Sequence, residues 1–290
     1  MPDEDVLHIE SFPALRSPYF LAAFAGWNDA AQVATHALET LAEGWDADPF
    51  AEIDPEEFYD FSETRPTVSI EPSGMRALDW PSNIFYGHVT GAAHDVVLLI
   101  GVEPQLRWRT FARAIVDLAQ RLNVRALITL GGLLADVPHT IEPRLTGFVL
   151  GGGDLPGLSD LGIRMSSYEG PTGIVGVLHD FWRETGQPAI SLWGNVPHYI
   201  SAAPNPGVAL ALLRRVETIL GTPVPVGPLE LQQGAFQTQV DAALSQNPEA
   251  AAYVQELEQA FRDDTPPPAG PDLIADLENF LRLRRPDDGE

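Results

Sequence analysis

The chain has 290 residues, enough for one large α/β domain or two smaller ones, with 41 acids against 17 bases and a formal net charge of −24. Every base is an arginine and there is no cysteine. These absences exclude a lysine phosphate loop, Schiff-base chemistry, thiol nucleophiles, disulfides and thiolate-bound metals. The negative charge argues against nucleic acid and anionic membrane as partners. Apolar runs such as 96–101 fall far short of the ~20 residues of a membrane span. The acidic start, Met-Pro-Asp-Glu-Asp, is unlike a signal peptide, so a cytoplasmic protein is expected.

Residues 19–25 (Tyr-Phe-Leu-Ala-Ala-Phe-Ala) form a continuous apolar run, the pattern of a strand buried on both faces. Asn28 or Asp29 then caps a predicted helix over 30–43, with Val33, Ala37, Leu38 and Leu41 on one face. Residues 43–63 hold nine acids and no base, and read as a loop with a short strand near 58–61. Strands follow over 67–70 and 83–86, in a possible hairpin, and over 95–100. Pro104 suits the first turn of a helix running to about Leu122. Residues 124–130 read as a strand closed by Gly131-Gly132, and 147–150 as another. Gly-Pro-Thr-Gly at 170–173 opens a helix, 189–193 is a strand, and 206–220 a helix.

From residue 228 the character changes, with thirteen acids, four arginines and no strand signal. Helical patterns occupy about 229–244, 248–262 and 271–285, with a Pro-rich linker over 265–270. The expected organisation is an α/β core over 1–225 and an acidic helical region over 226–290. The alternation of strands and helices predicts a mostly parallel sheet with helices on both faces.

In such sheets ligands sit beyond the carboxyl ends of the strands. Four segments then converge on one edge: 26–29, 101–104, 131–132 and 194–199. Asp29 reads as a base or ligand group, or as a helix cap. Glu103 reads as an acid/base group beside Arg107, or as a first-turn acid facing the helix dipole. His139, in a long loop, and His198 read as proton carriers or as locally bonded histidines. Gly170, Thr172 and Gly173 offer backbone N–H groups to an anion, although the dinucleotide glycine spacing is absent. Trp27, Asn28 and Asn195 complete the candidate ligand-binding set. No metal-ligating spacing and no Gly-x-Ser-x-Gly elbow is present, so neither a metal nor another cofactor is expected.

Several of these strings occur together: Phe-Ala-Gly-Trp-Asn-Asp-Ala at 24–30, Gly-Gly-Leu-Leu-Ala-Asp-Val-Pro-His-Thr at 131–140, Gly-Pro-Thr-Gly-Ile at 170–174, Leu-Trp-Gly-Asn-Val-Pro-His-Tyr at 192–199 and Pro-Asn-Pro at 204–206. In this the chain resembles the proteasome assembly chaperone (PAC-type) family, in its bacterial, actinobacterial-like branch, over about residues 6–220. The resemblance implies a three-layer α/β/α sandwich of the phosphorylase/hydrolase-like type with an added helical C-terminal region. It also implies self-association, with a trimer among the states, and eukaryotic relatives that help assemble the proteasome core. The family usually continues His-Thr with Arg-Pro, where this chain has Ile141-Glu142-Pro143-Arg144. Proteasome-binding relatives often end in hydrophobic-Tyr-any, whereas the sequence here ends Pro-Asp-Asp-Gly-Glu, which argues against docking by the tail.

Two functional readings follow. The first, which the resemblance, the acidic surface, the added helices and the lack of a strong catalytic motif favour, is a non-catalytic assembly protein that associates with itself and with another protein. The second is a small-molecule hydrolase or phosphorylase-like enzyme with Asp29 or Glu103 as base and His139 or His198 as acid.

Overall fold

The computed structural model describes residues 6–153, 155–200, 204–263 and 265. The chain opens with β1 (Leu7–Ile9) and β2 (Tyr19–Ala25), enters α1 (Val33–Gly44) and returns through β3 (Asp48–Ile53). A hairpin of β4 (Thr67–Ile70) and β5 (Arg76–Asp79) precedes β6 (Asn83–His88), β7 (Val96–Val102) and α2 (Trp108–Arg121). Then come β8 (Ala126–Ala135), β9 (Leu145–Leu150), β10 (Arg164–Met165), α3 (Ile174–Arg183), β11 (Ala189–Pro197) and α4 (Pro206–Leu220). Helices α5 (Gly227–Leu244) and α6 (Pro248–Asp263) follow. The helix expected over 271–285 and most of the linker over 265–270 lie outside the described residues.

Nine strands form one sheet in the order β1-β3-β6-β7-β2-β8-β11-β9-β10. The expectation of a mostly parallel sheet needs correction, because the sheet is mixed. The central β7, β2, β8 and β11 pair in parallel, as does the two-residue β10 with β9 at one edge. On one side β6, β3 and β1 add antiparallel, and on the other β9 runs against β11. The reason is connection length: residues 89–95 between β6 and β7 are too few for a crossover helix, so the chain must double back.

The central strands are apolar throughout because helices cover both their faces. Leu21 and Ala23 of β2 face α1 and α4, while Phe20, Ala22 and Phe24 face α2 and α3. A third, smaller core joins α5 and α6 to Tyr199 and Ile200, just beyond the tip of β11.

Several local expectations also change. Residues 58–61 form no strand; Phe58 and Tyr59 are buried after a short 3-10 turn. The strand in that acidic stretch is β3, hidden from pattern reading by Asp48 and Pro49. Residues 67–70 pair with β5 rather than with β6. Helix α2 starts at Trp108, not at Pro104, because Arg107 adopts a left-handed φ of 52°. Gly131-Gly132 does not end β8, which runs on in register with β11 as far as Ala135 opposite Pro197.

Candidate functional site

The carboxyl ends of β2, β7 and β8 meet the start of α3 around one carboxylate. Glu103, just past β7, accepts hydrogen bonds through Oε1 from Asn28 Nδ2 at 2.6 Å and from the Ile174 backbone N–H at 2.7 Å. The second bond satisfies a first-turn donor of α3, where a negative charge is also favoured by the helix dipole. Gly173 is required here: a methyl group on its Cα would lie inside van der Waals distance of both Asn28 and Glu103. The Asn28 carbonyl in turn accepts from Gly132 N–H at 2.8 Å, tying β2's end to β8.

Asp29 points the other way, into the start of α1. It accepts from Ala34 N–H at 2.7 Å, Thr35 N–H at 3.2 Å and Thr35 Oγ1–H at 2.5 Å. Burial pushes its carboxyl above the ordinary carboxylate range, and these three hydrogen bonds act in the opposite sense. The carboxylate is fully occupied as a helix cap.

His139 and His198 were expected at the same hollow and are found elsewhere, under α5 and α6. The Tyr199 hydroxyl accepts from His139 N–H at 2.8 Å and contacts His139 Nδ1 at 2.7 Å. Burial holds the His139 imidazole below its usual pKa, against the pull of Asp241 and Glu258. His198 Nδ1 lies 3.1 Å from Asp136 Oδ1, and its ring meets Tyr253 of α6 edge-on. Thr140 donates to Glu258 at 2.5 Å, and the Arg144 guanidinium sits over Phe261. The helical region thus covers the outer half of the edge.

The remaining candidates divide the same way. Arg107 pairs with Glu57 and lies over Phe58. Gly170 packs under Tyr168, whose hydroxyl donates to the Pro171 carbonyl at 2.9 Å. Thr172 lies in the same exposed turn, one residue before Gly173. Asn195, near the tip of β11, lines cavities of about 240 and 260 Å³ beneath α6, and its Oδ1 has no hydrogen-bond partner. Among the described residues no group of three or more His, Asp or Glu is placed to hold a metal ion, and no helix is long and apolar enough to cross a membrane.

Large apolar side chains are among what the edge exposes. Trp27 is 60% exposed, Leu134 52% and Tyr168 64%. Trp27 adjoins Asn28, Leu133 and Leu134 follow Gly132, and Tyr168 precedes the turn into α3, so they surround the Glu103 cluster. Sequence reading missed Leu133, Leu134, Tyr199 and Tyr253. The first two were assigned to a loop, and the tyrosines acquire their roles only when α6 docks.

The sequence model of the PAC2 family matches residues 23–244. A PAC2 family protein from Streptomyces avermitilis is 39% identical with a TM-score of 0.70, the match covering 78% of this chain and 95% of that one. A proteasome-assembly chaperone homologue from Mycobacterium tuberculosis is also 39% identical, with a TM-score of 0.73 and coverage of 81% and 99%. An archaeal proteasome activator from Pyrococcus furiosus shares the fold at 20% identity, TM-score 0.62, with coverage of 80% and 95%. No curated protein matches. The family match over most of the sequence and two near-complete structural matches at 39% identity carry one conclusion: this chain belongs to the PAC2 family.

Proposed function

We propose that this protein is a non-catalytic assembly factor of the cytoplasm, a homo-oligomer that binds another protein through the carboxyl edge of its sheet. In this reading the α/β body is a three-layer phosphorylase/hydrolase-like sandwich, to which α5 and α6 are added. One observation carries the reading: at the edge where an enzyme of this layout opens its site, the candidate acids and histidines are engaged with the protein itself, while large apolar side chains stand exposed. Asn28, Asp29 and Glu103 cap and tie elements, and His139 and His198 seat α5 and α6. Trp27, Leu134 and Tyr168 face outward in a strongly acidic chain. Exposed apolar side chains that gather into a patch mark interaction sites.

The names of the relatives point to proteasome core subunits as the partner to try. Purified full-length protein should capture recombinant core subunits. Trp27→Asp combined with Leu134→Asp should weaken capture at least tenfold while leaving the melting temperature within about 2 °C, since two exposed side chains hold little of the fold. Capture unchanged in that variant, or a wild-type protein that captures no core subunit, overturns the reading.

A further inference from the structure

The β4–β5 hairpin stands away from both main cores. All four residues of β4 are exposed, and the two strands form a sheet of their own. Register places Val68 opposite Leu78 and Ile70 opposite Arg76, so these four side chains share one face. Trp80 continues that face at its root, where its ring meets Phe61 edge-on at 4.8 Å. Val68 is 52% exposed, Ile70 72% and Leu78 56%. With Met75 and Trp80 these side chains present ~500 Å² of apolar surface, the upper range for a monomer. A two-stranded hairpin alone is marginal in water and gains stability when its apolar face is covered.

Charge indicates what covers it. The whole chain carries −24, so any two copies repel. Residues 65–80 are locally balanced, with Arg65 and Arg76 against Glu71 and Asp79. Neither arginine forms an ion pair with any described residue. A cavity of about 520 Å³ is an open trough between α1 and the strands β6 and β7. Its floor is apolar, with Ile84 and Ile100, and its rim carries Glu39, Glu43 and Asp46. Burial and its acidic neighbours, Asp29 and Glu43, push the Glu39 carboxyl upward. Ser82, only three residues beyond β5, lines the same trough, so the hairpin is rooted at its rim.

We propose that the hairpin is an arm that docks on a second copy of this chain, its apolar face on the trough floor and Arg76 against the acidic rim. This rests on the self-association proposed above and assigns it to a surface. One arm in one trough buries ~1,000 Å² counting both sides, and reciprocal exchange between two copies buries ~2,000 Å², the range of stable dimers. Opposite charge then draws Arg76 of one copy toward the acidic rim of the other.

The test is the association constant of the full chain, measured by sedimentation velocity in low salt. Ile70→Asp combined with Leu78→Asp should dissociate the oligomer with an unchanged melting temperature, because the arm lies outside the cores. Arg76→Glu alone and Glu43→Arg alone should each weaken association by about tenfold. The two together in one chain should recover most of that loss, since each interface then holds the reversed pair. If Arg76→Glu changes association by less than twofold, or the combined variant is no tighter than either single one, the arm does not meet the trough. An oligomer that survives the double aspartate variant sinks this inference and leaves self-association standing. A wild-type chain that stays monomeric at all concentrations sinks both. Loss of core-subunit capture without loss of the oligomer assigns the arm to a foreign partner and overturns the proposal.

Discussion

The two halves of the carboxyl edge are built differently. Around Glu103 the sheet's own tips meet, and every contact links residues of the α/β body. Around His139 the same sheet is completed by α5 and α6, the last helices among the described residues. The first cluster is held by backbone donors and a glycine with no room for a side chain. The second is held by side chains, several of them exposed at the rim. The difference shows where this fold tolerates change: the inner half is fixed by close packing, the outer half by a removable cover.

The sharpest way to break that contrast is Gly173→Ala. The added methyl collides with Asn28 and Glu103, and overpacking of this kind costs about 3 kcal/mol. For a chain of this size that lowers the melting temperature by ~6–12 °C. A melting temperature within 1 °C of wild type means the inner cluster is slack, and the contrast fails.

Acidification sharpens the comparison, because the two halves respond in opposite senses. His139 is held below its usual pKa, so it binds its proton later than in the unfolded chain. Its contribution is intact above pH ~6.5 and declines as the pH falls below that value. Asp29 is pushed upward, so it binds its proton earlier than in the unfolded chain, and its balance improves as the pH falls toward the ordinary carboxylate range. Limited proteolysis between pH 7 and 5.5 should therefore release α5 and α6 while the body stays protected. His139→Gln should remove that pH dependence; release that persists unchanged in the variant assigns it to another group.

The smallest effect is expected at the rim. Glu258→Gln leaves Thr140 an acceptor and removes a half-buried charge paired with the exposed Arg262 one turn on, so stability should move by less than ~1 kcal/mol in denaturant unfolding. A loss above ~1.5 kcal/mol would make the cover as rigid as the inner cluster.

How much of this was legible follows from range in sequence. The buried strands at 19–25 and 96–102 announce themselves through unbroken apolar runs. Gly173, Asn28 and Glu103 could be singled out because each sits at a strand end or helix start. Their mutual contact could not, since it joins residues 75 and 71 positions apart. Strand β3 was hidden by its acids and proline, tolerated because its outer neighbour β1 is only three residues long. The separation of the histidines from Glu103 depends on α6 docking, a tertiary event with no local signature. Four parallel strands were readable from alternation, but the antiparallel flanks depend on loop lengths.

Strands β8 and β11 outrun their neighbours. Pairing of β2 with β8 stops at Thr129 and that of β9 with β11 at Gly194, while β8 and β11 stay together to Ala135 and Pro197. The result is a narrow tongue, pinched at its base where Gly131 admits the Trp193 ring on one face and Gly132 admits Val33 on the other. A beam clamped at one end magnifies any tilt at the clamp into travel at its tip. Here the tip leads straight into Asp136 and His198, the seat of α6, so repacking at two glycines would be felt as displacement of that helix.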